Sequence, residues 1–431
     1  LGRLLNLVKT LLQPADLAAL TRSVQRATDL AFRLENDITG FLRNLEDFMS
    51  DLREGAAVGS YGQEVRITPA TRTLPAWTDV EISWETTGQT MTLLLNLITD
   101  LHRTVTDAFE QPSQELEDAV GSLANINRRL LEAQRYIQAL VSQPESNAIY
   151  WVEIQPNNGR LALQIAPLNI GPLMEQYLWH EKNSIVLTSA TLTTQGEFEY
   201  LRSRLNADEA EELYLGSPFD YETSTLLYLP NDIPEPNDAS SYQRAVDQTL
   251  VRLAKASSGR MLALFTSYAQ LRKTSQAISG PLAEAGIQVY EQGEGASANT
   301  LLEIFRGTEK AVLLGTRAFW EGVDIPGEAL SVLVIVKLPF EVPTDPIIAA
   351  RSETFDDPFN EYQLPEAILR FRQGFGRLIR TQSDRGVVAV LDKRLLSKRY
   401  GRSFLDSLPD CKVQVGSLAD LPGAASRWLN L

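Results

Sequence analysis

Residues 311–327 read "AVLLGTRAFWEGVDIPG". The run Ala311 to Gly315 is short, continuous in small or apolar residues and bounded by turn formers, so it predicts a strand buried on both faces of a parallel sheet. Arg317, Phe319 and Trp320 follow, expected to be exposed, and then Glu321 and Asp324 flank Gly322. Backbone amides, carboxylates and aromatic rings would thus share one strand end, and open α/β sheets hold their ligands at the carboxyl ends of their strands. A purely structural loop rarely combines Trp with two acids, which makes this one a functional candidate.

Moving outward, the same signature recurs from residue 146 onward. Short β-rich runs stand at "IYWVEI", "LALQI", "SIVLT", "LLYL", "MLALF", "IQVY", "SVLVIV" and "GVVAVL", separated by helical stretches. Apolar strands alternating with helices indicate a parallel sheet covered on both faces. Two of these runs end in small hydroxyl residues. "SIVLTSATL" (184–192) sets Thr188, Ser189 and Thr191 past its strand, and "MLALFTSYAQL" (261–271) offers Thr266 or Ser267 as a helix cap with Tyr268 at the rim. Such residues also serve as ordinary turn formers.

"RQGFGRLIR" (372–380) crowds three arginines into nine positions. On a helix starting near Leu364, Gln373, Arg377 and Arg380 fall at i, i+4 and i+7 and project from one face. Gly374 and Gly376 are poor helix residues that would permit close approach of another surface. The planar guanidinium fork suits phosphoryl oxygens, so the target read from these residues is a polyphosphate.

The first third of the chain is different. Apolar residues fall at 17, 20, 24, 27, 31, 34, 38, 41, 45, 48 and 52, with Asp16 placed to cap the start. That predicts a helical seam about 54 Å long. Similar spacing recurs from Met91 to Ala108 and from Leu116 to Leu140, while Val80, Ile82 and Trp84 alternate as in a strand. The expectation is an antiparallel helical arm with a small strand-rich elaboration.

The chain has 431 residues, 44% of them apolar, enough for two or three domains. No stretch approaches the ~20 apolar residues of a membrane span, and the start lacks the pattern of a signal peptide, so a cytoplasmic protein is expected. One cysteine and two histidines rule out a disulfide framework or a cluster ligated by this chain alone, and argue against zinc. The net charge of −15 argues against coating nucleic acid with the whole surface. Residues 366 to 402 nevertheless hold ten Lys or Arg against three Asp or Glu, a local balance of +7.

"LTSATL", "FTSY", "GTRAFWEGVDIPGE", "LPFEVPTDP" and "QGFGRLIRTQSDRGVVAVLDKR" stand in the order and spacing of motifs III to VI of superfamily 2 helicases, and the chain resembles the DinG branch of the XPD-like DNA helicases over residues 146 to 400. The resemblance implies an α/β, RecA-like parallel-sheet motor of the P-loop NTPase type preceded by an α-helical coiled-coil arch. Residues 1–145 would form the arch, 146–208 the end of the first motor domain and 209–431 the second. It implies ATP with Mg2+ as the nucleotide, single-stranded or forked DNA as the partner, a monomer, and 5′ to 3′ translocation in repair or replication. Arg377 and Arg380 take the role of arginine fingers. Gln373 would bind nucleotide, with Glu321, Gly322 and Asp324 lining its cleft. Thr188, Ser189 and Thr191 would couple nucleotide to DNA. Thr266, Ser267, Tyr268, Arg317 and Trp320 would touch the strand.

No G-x-x-x-x-G-K-[ST] occurs anywhere, and "DEAE" at 208–211 follows "SRLNA" rather than an apolar strand, so it reads as a helix surface and not as a Walker B motif. In the family both Walker motifs, and the cysteines of an iron–sulfur cluster where one exists, precede the arch. The chain is therefore expected to be the C-terminal part of a helicase, inactive alone. Two alternatives stand beside this reading: an ATP-independent single-strand binding or scaffold module, and a helicase fused upstream to an exonuclease domain.

Overall fold

The computed structural model describes every residue except 10, 55–61, 110–112, 156–158, 195, 294, 321–324 and 326. The chain divides into two compact units, one comprising Leu1–Asn169 with Thr344–Ala350, the other Ile170–Pro343 with Arg351–Leu431.

The first unit is built on three long helices, Pro14–Asp51, Trp77–Ala108 and Gln114–Val141. The expected seam is present: Leu20, Val24, Ala27, Leu34, Phe41, Leu45 and Phe48 are buried along the first of them. Asp16 stands in the first turn, where it complements the helix dipole, and Gln13 holds the cap position. Val80 and Trp84 do not belong to a strand. They lie in the second helix with Trp77, Thr87, Met91 and Leu94 as its buried stripe, while Ile82 is exposed. The 3-4 period beginning at Trp77 outruns the three-residue alternation that suggested a strand. Indole donors close the bundle, Trp77 Nε1 bonding Val141 O at 3.2 Å and Trp84 Nε1 bonding Gln138 Oε1 at 2.8 Å.

A small sheet completes this unit. Strands β1 (Gln63–Arg66), β2 (Ala148–Ile154) and β3 (Leu161–Pro167) pair antiparallel in that order. "IYWVEI" and "LALQI" are thus strands, as read, but of this sheet and not of the parallel one.

The second unit holds seven parallel strands: β4 (Thr225–Pro230), β5 (Met261–Leu264), β6 (Gln288–Glu291), β7 (Ala311–Gly315), β8 (Val332–Ile335), β9 (Gly386–Val390) and β10 (Lys412–Gly416). Their order is β10-β4-β9-β8-β5-β7-β6. Alternate residues feed two cores, because successive side chains of a strand point to opposite faces. Leu262, Leu264, Leu313, Leu333, Ile335, Val388 and Val390 join one, packed with the helices Ala298–Gly307 and Leu364–Phe375. Met261, Ala263, Val312, Val332, Val334 and Val387 join the other, with the helices Ala239–Ala256, Tyr268–Ala283 and Leu421–Leu429. This is the doubly covered parallel sheet that the sequence implied.

Two local expectations fail. Ser184–Thr188 is not a strand; Val186 and Leu187 are 83% and 45% exposed, and no strand among the described residues pairs with them. Residues 208–211 form a turn and extended chain beyond the helix Glu199–Leu205, which ends at the left-handed Asn206.

Candidate functional site

Three of the quoted motifs meet through Trp320. Its indole is buried (1% exposed), Nε1 donates to Phe265 O at the end of β5 (3.1 Å), and its own carbonyl accepts Arg377 Nε (3.1 Å). Gly374 explains how the ring fits: a Cβ there would lie 2.7 Å from Trp320 Cε3. One glycine of "RQGFGRLIR" therefore does permit a close approach, by this indole, whereas a Cβ on Gly376 would meet only ordinary contacts. Phe319 is fully buried as well. The expected exposure holds for Arg317 and fails for Phe319 and Trp320, so Trp320 has no open face on which a base could stack. Glu321, Gly322 and Asp324 lie outside the described residues.

The arginine-bearing segment also departs from its expected geometry. The helix Leu364–Phe375 ends with Gly376 at its C-cap, so Gln373 is helical while Arg377 and Arg380 follow in a turn. They do not share a helix face. The turn is organised by Asp384, whose carboxylate accepts the amides of Arg380 (2.7 Å) and Thr381 (2.8 Å) and the Thr381 hydroxyl (2.6 Å). Burial would raise the Asp384 pKa, but the Thr381 hydroxyl and these amides outweigh it and hold it below its usual value.

The "TSATL" loop is tied to the same helix. Arg372 Nη1 donates to the carbonyl of Thr193 and to its hydroxyl (3.2 Å), and Nη2 donates to Ala190 O (3.3 Å). Gln373 Nε2 reaches Thr191 Oγ1 at 3.4 Å. Within the loop, Ser189 Oγ accepts the Thr191 amide (3.2 Å), while Thr188 is exposed. A second tether runs from Tyr200 Oη to Glu366 Oε1 (2.6 Å), and burial followed by the Glu366 charge pushes the Tyr200 pKa up. Arg372, Tyr200 and Glu366 were not singled out from the sequence; the Arg at 372 was visible, but nothing in its spacing marks neutral carbonyls 180 residues away as its partners.

At the neighbouring strand end, Ser267 caps the helix Tyr268–Ala283 through the Gln270 amide (3.4 Å). Thr266 is exposed beside it, and Tyr268 is 39% exposed. Among the described residues no group of three or more His, Cys, Asp or Glu is placed to hold a metal ion, and no helix is long and apolar enough to cross a membrane. The arrangement sets Arg372, on neutral oxygens, and the neighbouring Arg377 and Arg380 beside a hydroxyl-rich loop, a composition that fits phosphoryl oxygens better than a cation.

Comparisons with known proteins bear on the family and the fold. Residues 250–411 match the family described as the helicase C-terminal domain. The chain is 36% identical over 288 residues to the 3′-5′ exonuclease DinG of Bacillus subtilis (64% of this chain, 31% of the relative), and 38% over 264 residues to the ATP-dependent DNA helicase YoaA of Escherichia coli (60% and 40%). It is 30% identical over 394 residues to the ATP-dependent DNA helicase DinG of Photobacterium profundum (86% and 56%). The solved structure of S. tokodaii Xpd4 superposes on 96% of this chain and 74% of its own with a TM-score of 0.50 at 17% identity, a likeness of fold.

A doubly covered parallel sheet carrying these motifs at its strand ends defines the class, a RecA-like helicase motor domain accompanied by a helical N-terminal region. Within that class the chain is similar to the DinG-type DNA helicases, and its fold is like that of an Xpd protein. It spans between 31% and 56% of the length of these curated relatives.

Proposed function

We propose that this chain is the part of an ATP-dependent DNA helicase that senses the nucleotide γ-phosphate and grips single-stranded DNA, with translocation running 5′ to 3′. The observation that carries the reading is the convergence on one helix end of Gln373, Arg377 and the "TSATL" loop, with Arg380 in the turn that follows. Fold alone would not justify an activity, so the proposal rests on this site. Residues 1–145 act as the arch, 146–208 as the end of the first motor domain and 209–431 as the second. ATP with Mg2+ supplies the phosphoanhydride whose cleavage drives movement. Arg377 and Arg380 meet the charge that builds on the phosphoryl oxygens, Gln373 orients them, and Thr188, Ser189 and Thr191 relay the change. Glu321, Gly322 and Asp324 line the nucleotide cleft. Thr266, Ser267, Tyr268 and Arg317 hold strand phosphates. The protein works as a cytoplasmic monomer on single-stranded or forked DNA during repair or replication, and the phosphate cradle comes from sequence outside this chain.

The test uses the protein as encoded in its genome. DNA-stimulated ATP hydrolysis and unwinding of a fork with a 5′ tail should both be present, and both should vanish in Arg377→Ala. Absence of either from the unmutated protein, or unwinding restricted to a 3′ tail, would overturn the reading or its polarity.

A further inference from the structure

The carboxyl edge of the parallel sheet carries a cation that none of the motifs accounts for. In register, Ile335 of β8 stands opposite Leu264 of β5 and Val390 of β9. The ladder runs one residue further, with Val336 N bonding Leu264 O (3.0 Å) and Leu391 N bonding Ile335 O (2.9 Å). Beyond that the three adjacent strand ends continue into Lys337, Thr266 and Asp392.

Lys337 is partly buried there, its ammonium 5.2 Å from the centre of the Tyr242 ring. Tyr242 is itself locked, its hydroxyl donating to the carbonyls of Val336 and Leu391. The nearest acid is already committed. Both oxygens of the buried Asp392 are taken, Oδ1 by the Arg394 amide (3.0 Å) and Nε (2.9 Å), Oδ2 by the Leu338 amide (2.9 Å) and Arg394 Nη2 (2.6 Å). Among the described residues no carboxylate lies within ion-pair distance of Lys337, and the Arg394 guanidinium adds a second positive charge nearby. A lysine ammonium drawn out of water is costly unless an acid compensates it. The ring face offers only partial compensation.

We propose that Lys337 is a binding residue for a phosphoryl oxygen, supplied by the phosphodiester backbone of the single strand that passes Thr266 at the adjacent strand end. The inference rests on the helicase reading above and extends its strand contacts to a residue outside the motifs. Burial, and after it the neighbouring Arg394, lowers the Lys337 pKa while Asp392 opposes this, so an arriving anion restores a charge that the fold leaves under-compensated. Tyr242 fixes the direction from which the ammonium can be approached.

The experiment compares the unmutated protein, as encoded, with Lys337→Met, Lys337→Gln and Lys337→Arg. Binding of a fluorescein-labelled oligo(dT) is followed by anisotropy between 50 and 200 mM salt, and binding of a fluorescent ADP is measured in parallel. Removing one phosphate contact should weaken DNA binding about fivefold near 0.1 M salt and flatten the plot of log K against log salt by about 0.7. ADP affinity should be unchanged, and Lys337→Arg should keep the slope. An unchanged slope in a folded Met or Gln variant overturns the assignment, as does a loss confined to ADP, which would give Lys337 to the nucleotide. Failure of the unmutated protein to bind the strand at all would sink the helicase reading together with this one.

Discussion

Arg372 and Arg380 stand close in the chain and call for different tests. Arg372 directs its guanidinium at three neutral oxygens of Ala190 and Thr193, and burial lowers its pKa, so its charge serves geometry rather than an ion pair. Two of its nitrogens reach different residues, which a lysine cannot reproduce. In the protein as encoded, Arg372→Lys should therefore lower the number of base pairs separated per ATP while changing hydrolysis little, measured by paired unwinding and phosphate-release assays. Equal losses in both would make the contact structural only. Arg380→Ala has the opposite signature. If it meets the transition state, ATPase kcat should fall by ~10² or more with a smaller change in nucleotide affinity, and single-strand binding should survive. Normal kcat with weakened DNA binding would move Arg380 from the nucleotide to the strand.

At the scale of elements, the helix Leu364–Phe375 was legible and its end was not. Apolar spacing and Pro365 in its first turn announce the start. The stop depends on Gly374 and Gly376, and only the neighbouring indole explains the first of these. Gly374→Ala would place a methyl group against the Trp320 ring, which Phe265 and Arg377 hold, so a loss of ~1 to 3 kcal/mol is expected. Chemical denaturation of the chain checks it; a midpoint shift within error would mean the indole can move aside. The burial of Trp320 was missed for the same reason. A large aromatic in a loop looks like an exposed contact until the glycine that receives it, 54 residues later, is placed. Residues 184–188 err the other way, since a strand needs a partner strand and apolar content alone cannot supply one.

For the molecule as a whole, the single cysteine is a reporter. Burial, then the Asp410 charge, pushes the Cys411 thiol up to about 11 from its ordinary 9, so little thiolate exists at pH 8 in the folded state. Iodoacetamide should label the native chain slowly and reach the rate of a free thiol as the second unit unfolds; fast labelling in the native state would show that this corner opens locally. The 431-residue chain itself, lacking a phosphate cradle, should show no DNA-stimulated ATP hydrolysis, and robust turnover by a preparation free of contaminating ATPase would contradict that.

By itself the sequence determined what repeats or is local: the apolar strands that alternate into two cores, the heptad-like stripes of the long helices, and the order of motifs at the strand ends. Those follow from side-chain period and from turn chemistry, which neighbouring residues set. Only the tertiary structure decided which strands share a sheet, which aromatic is buried and which arginine holds a loop. Gly374 beneath Trp320, Arg372 on Thr193 and Lys337 over Tyr242 each join residues far apart in the chain. Their energies come from packing and from hydrogen bonds that exist only once the segments are brought together, so no local pattern encodes them.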